Sequence, residues 1–189
     1  SPSMITNDEL LPLCGAGLAA ADDFLGRARR SVREMVLAAG NIDAGLNEGQ
    51  QFAVHGLAWL ATYVECLRQS LAWAERLEGS GQFGVMERLL LQLGFGGYLA
   101  EIANGIAMSQ IEVVRPGDLG LDQGDVAAFR IEAVERLMAH GNTQGERDRL
   151  AVMLVEAASS AEFGALGLDE TNAMVREQFR HFTDDHVTE

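Results

Sequence analysis

The chain has 189 residues, 48% of them hydrophobic, which is enough for one well-buried core and, most simply, one domain. Its formal charge of -14 argues against nucleic acid or an anionic membrane surface as a partner. All 14 basic residues are arginine, a bias expected of a GC-rich bacterial genome.

Taken in order, Ser1-Pro2-Ser3-Met4 shows no basic segment leading into an apolar one, so no signal peptide is expected. Thr6-Asn7-Asp8-Glu9 has the spacing of a capping box and predicts a first helix that continues through Ala38 and stops at Gly40-Asn41. Pro12 predicts a kink or a late start near Leu13. Arg27, Arg29, Arg30 and Arg33 fall in its C-terminal half, where positive charge suits the helix dipole. Such a cluster forms a solvated face or pairs with nearby acids; gripping an anion is the sharper alternative.

Asn47-Glu48-Gly49-Gln50 caps a second helix of about thirty residues. Ala53, Leu57, Leu60, Val64, Leu67, Leu71 and Ala74 step by four and three as a core seam. Trp59, Tyr63, Cys66, Trp73 and Leu77 add a second apolar face, so neighbours are expected on two sides. His55 interrupts this apolar stretch as a candidate buried polar residue and invites a catalytic reading, but no Ser or Cys nucleophile motif accompanies it and a hydrogen-bonded structural histidine is expected.

Gly79-Ser80-Gly81 turns the chain into a third helix beginning near Gln82. From Leu89 to Ile111 the only charged side chain is Glu101, and Arg115-Pro116-Gly117-Asp118 then forms a loop no helix can run through. A helix so poor in charge is predicted to be central, with neighbours on several sides. Gly94, Gly96, Gly97 and Gly105 suggest close approach of other backbones, since each glycine costs roughly 1 kcal/mol against alanine in a helix. Gln92, Glu101, Asn104, Ser109 and Gln110 punctuate the stretch, which favours a protein core over a membrane span.

Asp122 or Asp125 starts a fourth helix ending at His140-Gly141-Asn142. Thr143-Gln144-Gly145-Glu146 starts a fifth, to about Phe163, and a loop follows from Gly164 to Leu168. Asp169 caps the last helix, whose apolar residues are Met174, Val175, Phe179, Phe182 and Val187. With no strand-like alternation, the predicted fold is all-α: five to six helices bundled around a long, nearly uncharged central one.

Candidate chemistry is sparse. Glu101 is a general-base candidate, because burial disfavours a carboxylate's charge, but an internal pair with Arg88, Arg115 or His55 accounts for it equally. His181 and Asp185 have metal-compatible spacing on the last helix, yet Asp184 and His186 point elsewhere and a solvated helix end is expected. Cys14 and Cys66 match no metal or redox motif and read as buried thiols of a reducing compartment. Gly94-Phe95-Gly96-Gly97 follows no strand, so it is not a dinucleotide loop. No catalytic, cofactor-binding or metal-binding residue is assigned on these grounds.

Three stretches carry a family resemblance. QFAVHGLAWLATYVECLRQSLAWAERL, MSQIEVVRPGDLGL and the terminal GLDETNAMVREQFRHFTDDHV resemble the N-terminal helical extension of certain acyl-CoA dehydrogenase flavoproteins, those of the (2S)-methylsuccinyl-CoA dehydrogenase group. The likeness runs from about Gln50 to Glu189; the Arg115-Pro116-Gly117-Asp118 loop is its most specific part. It implies a bundle similar to the C-terminal helical domain of that family over residues 1-168, and at 169-189 the helix that begins a dehydrogenase body. It further implies that the full-length enzyme, in the cytoplasm, uses FAD. There a Glu removes the acyl α-proton, hydride passes from the β-carbon to the flavin, and an electron-transfer flavoprotein takes the electrons.

No catalytic residue of the family maps onto this chain, Glu101 included, and no cofactor is expected in the chain alone. The implied role is a non-catalytic module that packs against its own dehydrogenase body or a second copy of itself. It would serve as an oligomer interface or shape the pocket for a short branched or dicarboxylic acyl-CoA such as methylsuccinyl-CoA. Within it, Arg115 is expected to reach the last carbonyls of the third helix, and Asp118 to accept from backbone amides of its own turn. Two alternatives stand beside this: a free-standing, dimeric helical scaffold, and a small-ligand binder using Glu101 and His55 inside the bundle.

Overall fold

A computed structural model describes residues 5-38, 46-157 and 166-186. The predicted stop at Gly40-Asn41, the end of a helix near Phe163, the glycine Gly164 and the apolar Val187 lie outside the described residues, as do the side chains of Asp185 and His186. The architecture is all-α. Its helices are α1 (Asn7–Ala38), α2 (Glu48–Gly79), α3 (Val85–Asn104), α4 (Gln123–Phe129), α5 (Glu132–His140), α6 (Gln144–Ala157) and α7 (Glu170–His186).

In α1, Leu10, Cys14, Gly17, Ala21, Phe24, Leu25, Ala28 and Val32 are buried, a stripe at helical spacing that lies against α2 and α5. The helix begins at Asn7 with Pro12 inside it, so the late start expected near Leu13 does not occur. Pro12 is exposed, which puts the carbonyl it leaves without an amide partner on the solvent side. In α2, Asn47 and Gln50 form a reciprocal cap, and the seam residues Ala53, Leu60, Val64, Leu67, Leu71 and Ala74 are buried; Leu57 is half-buried.

α3 is the central helix, packed by α1, α2, α5 and α6. Phe95 and Leu99 are fully buried beside Phe24, Leu60, Val64 and Leu137 in one continuous core. Gly96 is where backbones meet: a Cβ there would lie 2.8 Å from the Asn142 nitrogen and 2.8 Å from the Leu137 carbonyl oxygen. Gly94, by contrast, has nothing within 4 Å of where a Cβ would be.

The predicted helix through Ile111 is corrected by the structure. α3 ends at Asn104, and Gly105, at φ 146°, takes a conformation side chains oppose and no helix accepts. The chain then forms a small antiparallel hairpin, β1 (Ile106–Ala107) with β2 (Val113–Val114), pairing Ile106 with Val114. Ile106 and Val114 point inward, and the Val114 side chain occupies the space a Cβ on Gly56 of α2 would need. Apolar content alone marked this segment as helix; the β-branched residues beyond Gly105 mark the strands.

The single fourth helix expected from Asp122 or Asp125 to His140 is two. Arg130 and Ile131 break it, Ile131 being extended at φ -62°, ψ 165°. The break lets Phe129 of α4 meet Phe24 of α1, ring centroids 4.8 Å apart, while Ala133, Val134 and Leu137 of α5 are buried on their own axis. Among the described residues there are therefore seven α-helices rather than five to six, and none is long and apolar enough to cross a membrane.

Candidate functional site

Of the polar residues singled out in the sequence, His55 and Glu101 stand at the two ends of a line of aromatic side chains on α2 and α3. Glu101, one turn before the end of α3, is half-buried, and its Oε2 accepts the Tyr63 hydroxyl at 2.7 Å. The expected partners Arg88, Arg115 and His55 are not the ones it has. Arg88 instead reaches Glu78 and the Asn7 carbonyl.

Tyr63 stacks on Tyr98 at 4.5 Å between centroids and 22° between planes; Tyr98 stands three residues before Glu101 on α3. Burial, and then the adjacent Glu101 carboxylate, push the Tyr63 phenol well above its ordinary range, so it is a firm donor.

Four residues back along α2, Trp59 meets Tyr63 edge-on at 6.4 Å. Four residues further back, His55 accepts the Trp59 indole N–H at Nε2, 3.2 Å away. Accepting there requires Nε2 to be unprotonated. His55 was expected inside the bundle and is exposed; it and Glu101 are at opposite ends of the array, not in a shared cavity. The sequence showed Trp59 and Tyr63 as part of a second apolar face. The unread signal was the step of four that aligns His55, Trp59 and Tyr63 on one helix face.

The Arg115-Pro116-Gly117-Asp118 loop is a 3-10 turn, Pro116–Leu119, closed by the left-handed Gly120 at φ 70°. The Asp118 carboxylate accepts the Arg115 backbone N–H at 2.7 Å, as its spacing suggested. Arg115 itself is exposed, and its guanidinium makes no hydrogen bond or ion pair among the described residues; the expected contact with the end of α3 is absent. What holds the loop is apolar: Leu119 and Leu121 are buried, and Gly120 sits so close to Ser31 and Met35 of α1 that a Cβ would meet both.

The arginine cluster divides between pairing and exposure. Arg27 bonds Asp23 at 2.9 Å and Asp125 at 3.0 Å, tying α1 to α4, while Arg29, Arg30 and Arg33 are exposed. Cys14 is buried and Cys66 half-buried, both free. On α7, His181 lies 3.4 Å from Glu177, and no group of three metal-ligand types forms among the described residues.

Three surface depressions adjoin these residues. The largest, about 550 Å³, is lined by Glu48, Gly49, Gln51, Phe52, His55 and Glu112. A second lies on His55, Ala58, Trp59 and Thr62, and a third, about 340 Å³, on Ala103, Pro116, Gly117, Leu121, Asp122, Gln123 and Val126. A flavin dinucleotide needs cationic side chains or free amides for its diphosphate. Glu48, Glu112 and Asp122 would repel one, so the two larger depressions do not fit FAD.

No family model matches the chain. It is 46% identical over 179 residues to (2S)-methylsuccinyl-CoA dehydrogenase of Cereibacter sphaeroides, a match that takes in 95% of this chain and 32% of that enzyme. The chain thus spans about a third of the length of the curated relative it matches.

Proposed function

We propose that the chain is a non-catalytic helical module of an FAD-dependent acyl-CoA dehydrogenase, one acting on a short branched or dicarboxylic acyl-CoA such as methylsuccinyl-CoA in the cytoplasm. The observation that carries this reading is the 46% identity along 95% of the chain to a stretch amounting to 32% of a methylsuccinyl-CoA dehydrogenase. On this reading residues 1-168 are the bundle module, and the segment from Asp169, which contains α7, is where a dehydrogenase body begins. The flavin, the catalytic base and the contact with an electron-transfer flavoprotein belong to that body.

The internal chemistry agrees with a packing role. Glu101, the one charged side chain between Leu89 and Ile111, is engaged by Tyr63, and the loop around Asp118 is a self-capped turn on α1. Substituting this chain for the matched third of the Cereibacter sphaeroides enzyme tests the reading. The chimera should retain bound flavin and oxidise methylsuccinyl-CoA with an artificial electron acceptor. Removing the module should lower melting temperature or broaden the range of acyl-CoA esters accepted. A chimera with neither flavin nor activity, or a deletion that changes nothing, would overturn the proposal.

A further inference from the structure

Along the aromatic line between α2 and α3, packing accounts for the rings but not for what their polar ends touch. An indole N–H or phenol hydroxyl drawn out of water usually finds some acceptor, most simply a backbone carbonyl. Trp59 and Tyr63, both half-buried, have side-chain bases instead. The Trp59 N–H donates to His55 Nε2 at 3.2 Å, and the Tyr63 hydroxyl to Glu101 Oε2 at 2.7 Å. An imidazole or a carboxylate can take the proton itself and not only the hydrogen bond.

The Trp59 and Tyr63 rings meet at 6.4 Å between centroids, and Tyr63 stacks on Tyr98 at 4.5 Å, steps that an electron tunnels across readily. A surface depression of about 220 Å³ on His55, Ala58, Trp59 and Thr62 opens the indole end to solutes. Indoles and phenols lose an electron at much lower cost when the proton leaves with it, because their radical cations are far stronger acids than the parent groups. Once deprotonated, an indolyl radical is a stronger oxidant than a phenoxyl radical, so an oxidation begun on Trp59 runs to Tyr63 and not back.

We propose that Trp59 and Tyr63, with His55 and Glu101 as their bases, form a redox relay. It takes up a one-electron oxidant such as a peroxyl radical at the surface of α2 and carries the oxidation inward to a phenoxyl radical on Tyr63. In the first step the peroxyl takes one electron from Trp59 and one proton from solvent and becomes a hydroperoxide, while the indole proton passes to His55 Nε2. Tyr63 then gives an electron to the indolyl radical and its hydroxyl proton to Glu101, and Trp59 recovers its proton from His55. What remains is an intact indole, a neutral phenoxyl and a protonated Glu101. The relay lies wholly within this chain, so it stands or falls separately from the module reading.

Pulse radiolysis of the 189-residue chain tests this: azide radicals oxidise indoles in preference to phenols, and absorbance follows the conversion of indolyl to phenoxyl. The two tyrosines of the chain are the stacked pair, so every phenoxyl signal arises here. The other tryptophan, Trp73, is an internal control, ten residues beyond Tyr63 on α2 and about 15 Å further along its axis. The phenoxyl should rise in a fast phase whose rate is independent of protein concentration, unchanged in W73F and Y98F and lost in W59F and Y63F. E101Q keeps an oxygen acceptor but not a base, and should slow the rise by roughly 100-fold, the lower end for a positioned proton acceptor. H55L should prolong the indole radical cation, which has its own absorption band. A rise that scales with protein concentration, that survives in W59F or Y63F, or that E101Q leaves unchanged would overturn the relay. Circular dichroism shows which variants keep their helices; should one of W59F, Y63F and E101Q unfold, the other two carry the same test.

Discussion

At the scale of single residues, Tyr63 and Glu101 form the contact on which the α2-α3 polar line depends. The 2.7 Å bond satisfies a half-buried carboxylate, and the stacked Tyr98 ring holds the donor in place. Tyr63→Phe keeps the ring stack and removes the donor, leaving Glu101 to partial solvent. The expected loss is about 1 kcal/mol, the lower part of the range for a bond to a charged group because Glu101 keeps some water. Glu101→Gln retains an oxygen acceptor and should lose less. Urea unfolding of the two variants decides the matter; equal stability in all three proteins would mean the bond contributes nothing. Glu101 stood out in the sequence as an isolated charge, but its partner did not. Of the partners the sequence suggested, Arg88 and Arg115 were chosen for opposite charge and His55 for its imidazole, whereas the contact is with a phenol that the helical pattern had assigned to an apolar face.

At the scale of elements, the glycines of α3 separate into those that answer to a neighbour and those that do not. The sequence pointed to close approach for the group as a whole. Gly96 has it, against the end of α5; Gly105, just past the helix, answers instead to its positive φ and to the Val113 side chain, and Gly94 has neither. Gly96→Ala would force a Cβ against two backbone atoms at 2.8 Å, neither of which can turn aside as a side chain tip would. A loss of about 2 kcal/mol or more is expected, on the order of 5 °C in melting temperature for a chain of this size. Gly94→Ala meets open space in the middle of a helix and should gain about 0.5 to 1 kcal/mol from helix propensity. Calorimetry on the pair should therefore show shifts of opposite sign, and shifts of the same sign would remove the backbone-contact account of Gly96. The same distinction explains how far element boundaries were legible. Caps with their own chemistry, such as Asn47 with Gln50, were readable because the signal is local. The end of α3 and the break between α4 and α5 were not, because they exist to seat Val114 on Gly56 and Phe129 on Phe24, contacts 58 and 105 residues apart in sequence.

At the scale of the whole molecule, long-range ion pairs tie α1 to helices distant in sequence: Arg68 with Asp22, Arg27 with Asp125, and Arg136 with Glu9. The last joins the first turn of α1 to α5, the two terminal guanidinium nitrogens of Arg136 donating to the Glu9 carboxylate at 3.1 Å. That contact, then the Thr6 amide, pull the Glu9 carboxyl down from 4.5 to about 2. Asp125 is held low by the Asp122 amide and by Arg27, and Glu65 by Gln69 and Arg68. The sign follows from linkage: a carboxyl whose folded value is depressed adds stability that is fully present above its unfolded value and lost as pH falls through its folded one. For Glu9 the window runs from about 4.5 down to about 2. The melting temperature should accordingly fall across that interval in the parent chain. Glu9→Gln should melt lower than the parent at pH 7, descend less steeply, and converge on the parent near pH 2. Because Glu9 is solvent-accessible, 1 M salt should shrink the difference at pH 7, whereas it would leave a loss of packing untouched. Scans of both proteins from pH 7 to pH 2 measure this directly. If the two curves run parallel throughout, the pair is not what links α1 to α5, and the acid sensitivity comes from other carboxylates, Asp125 and Glu65 being the first to test.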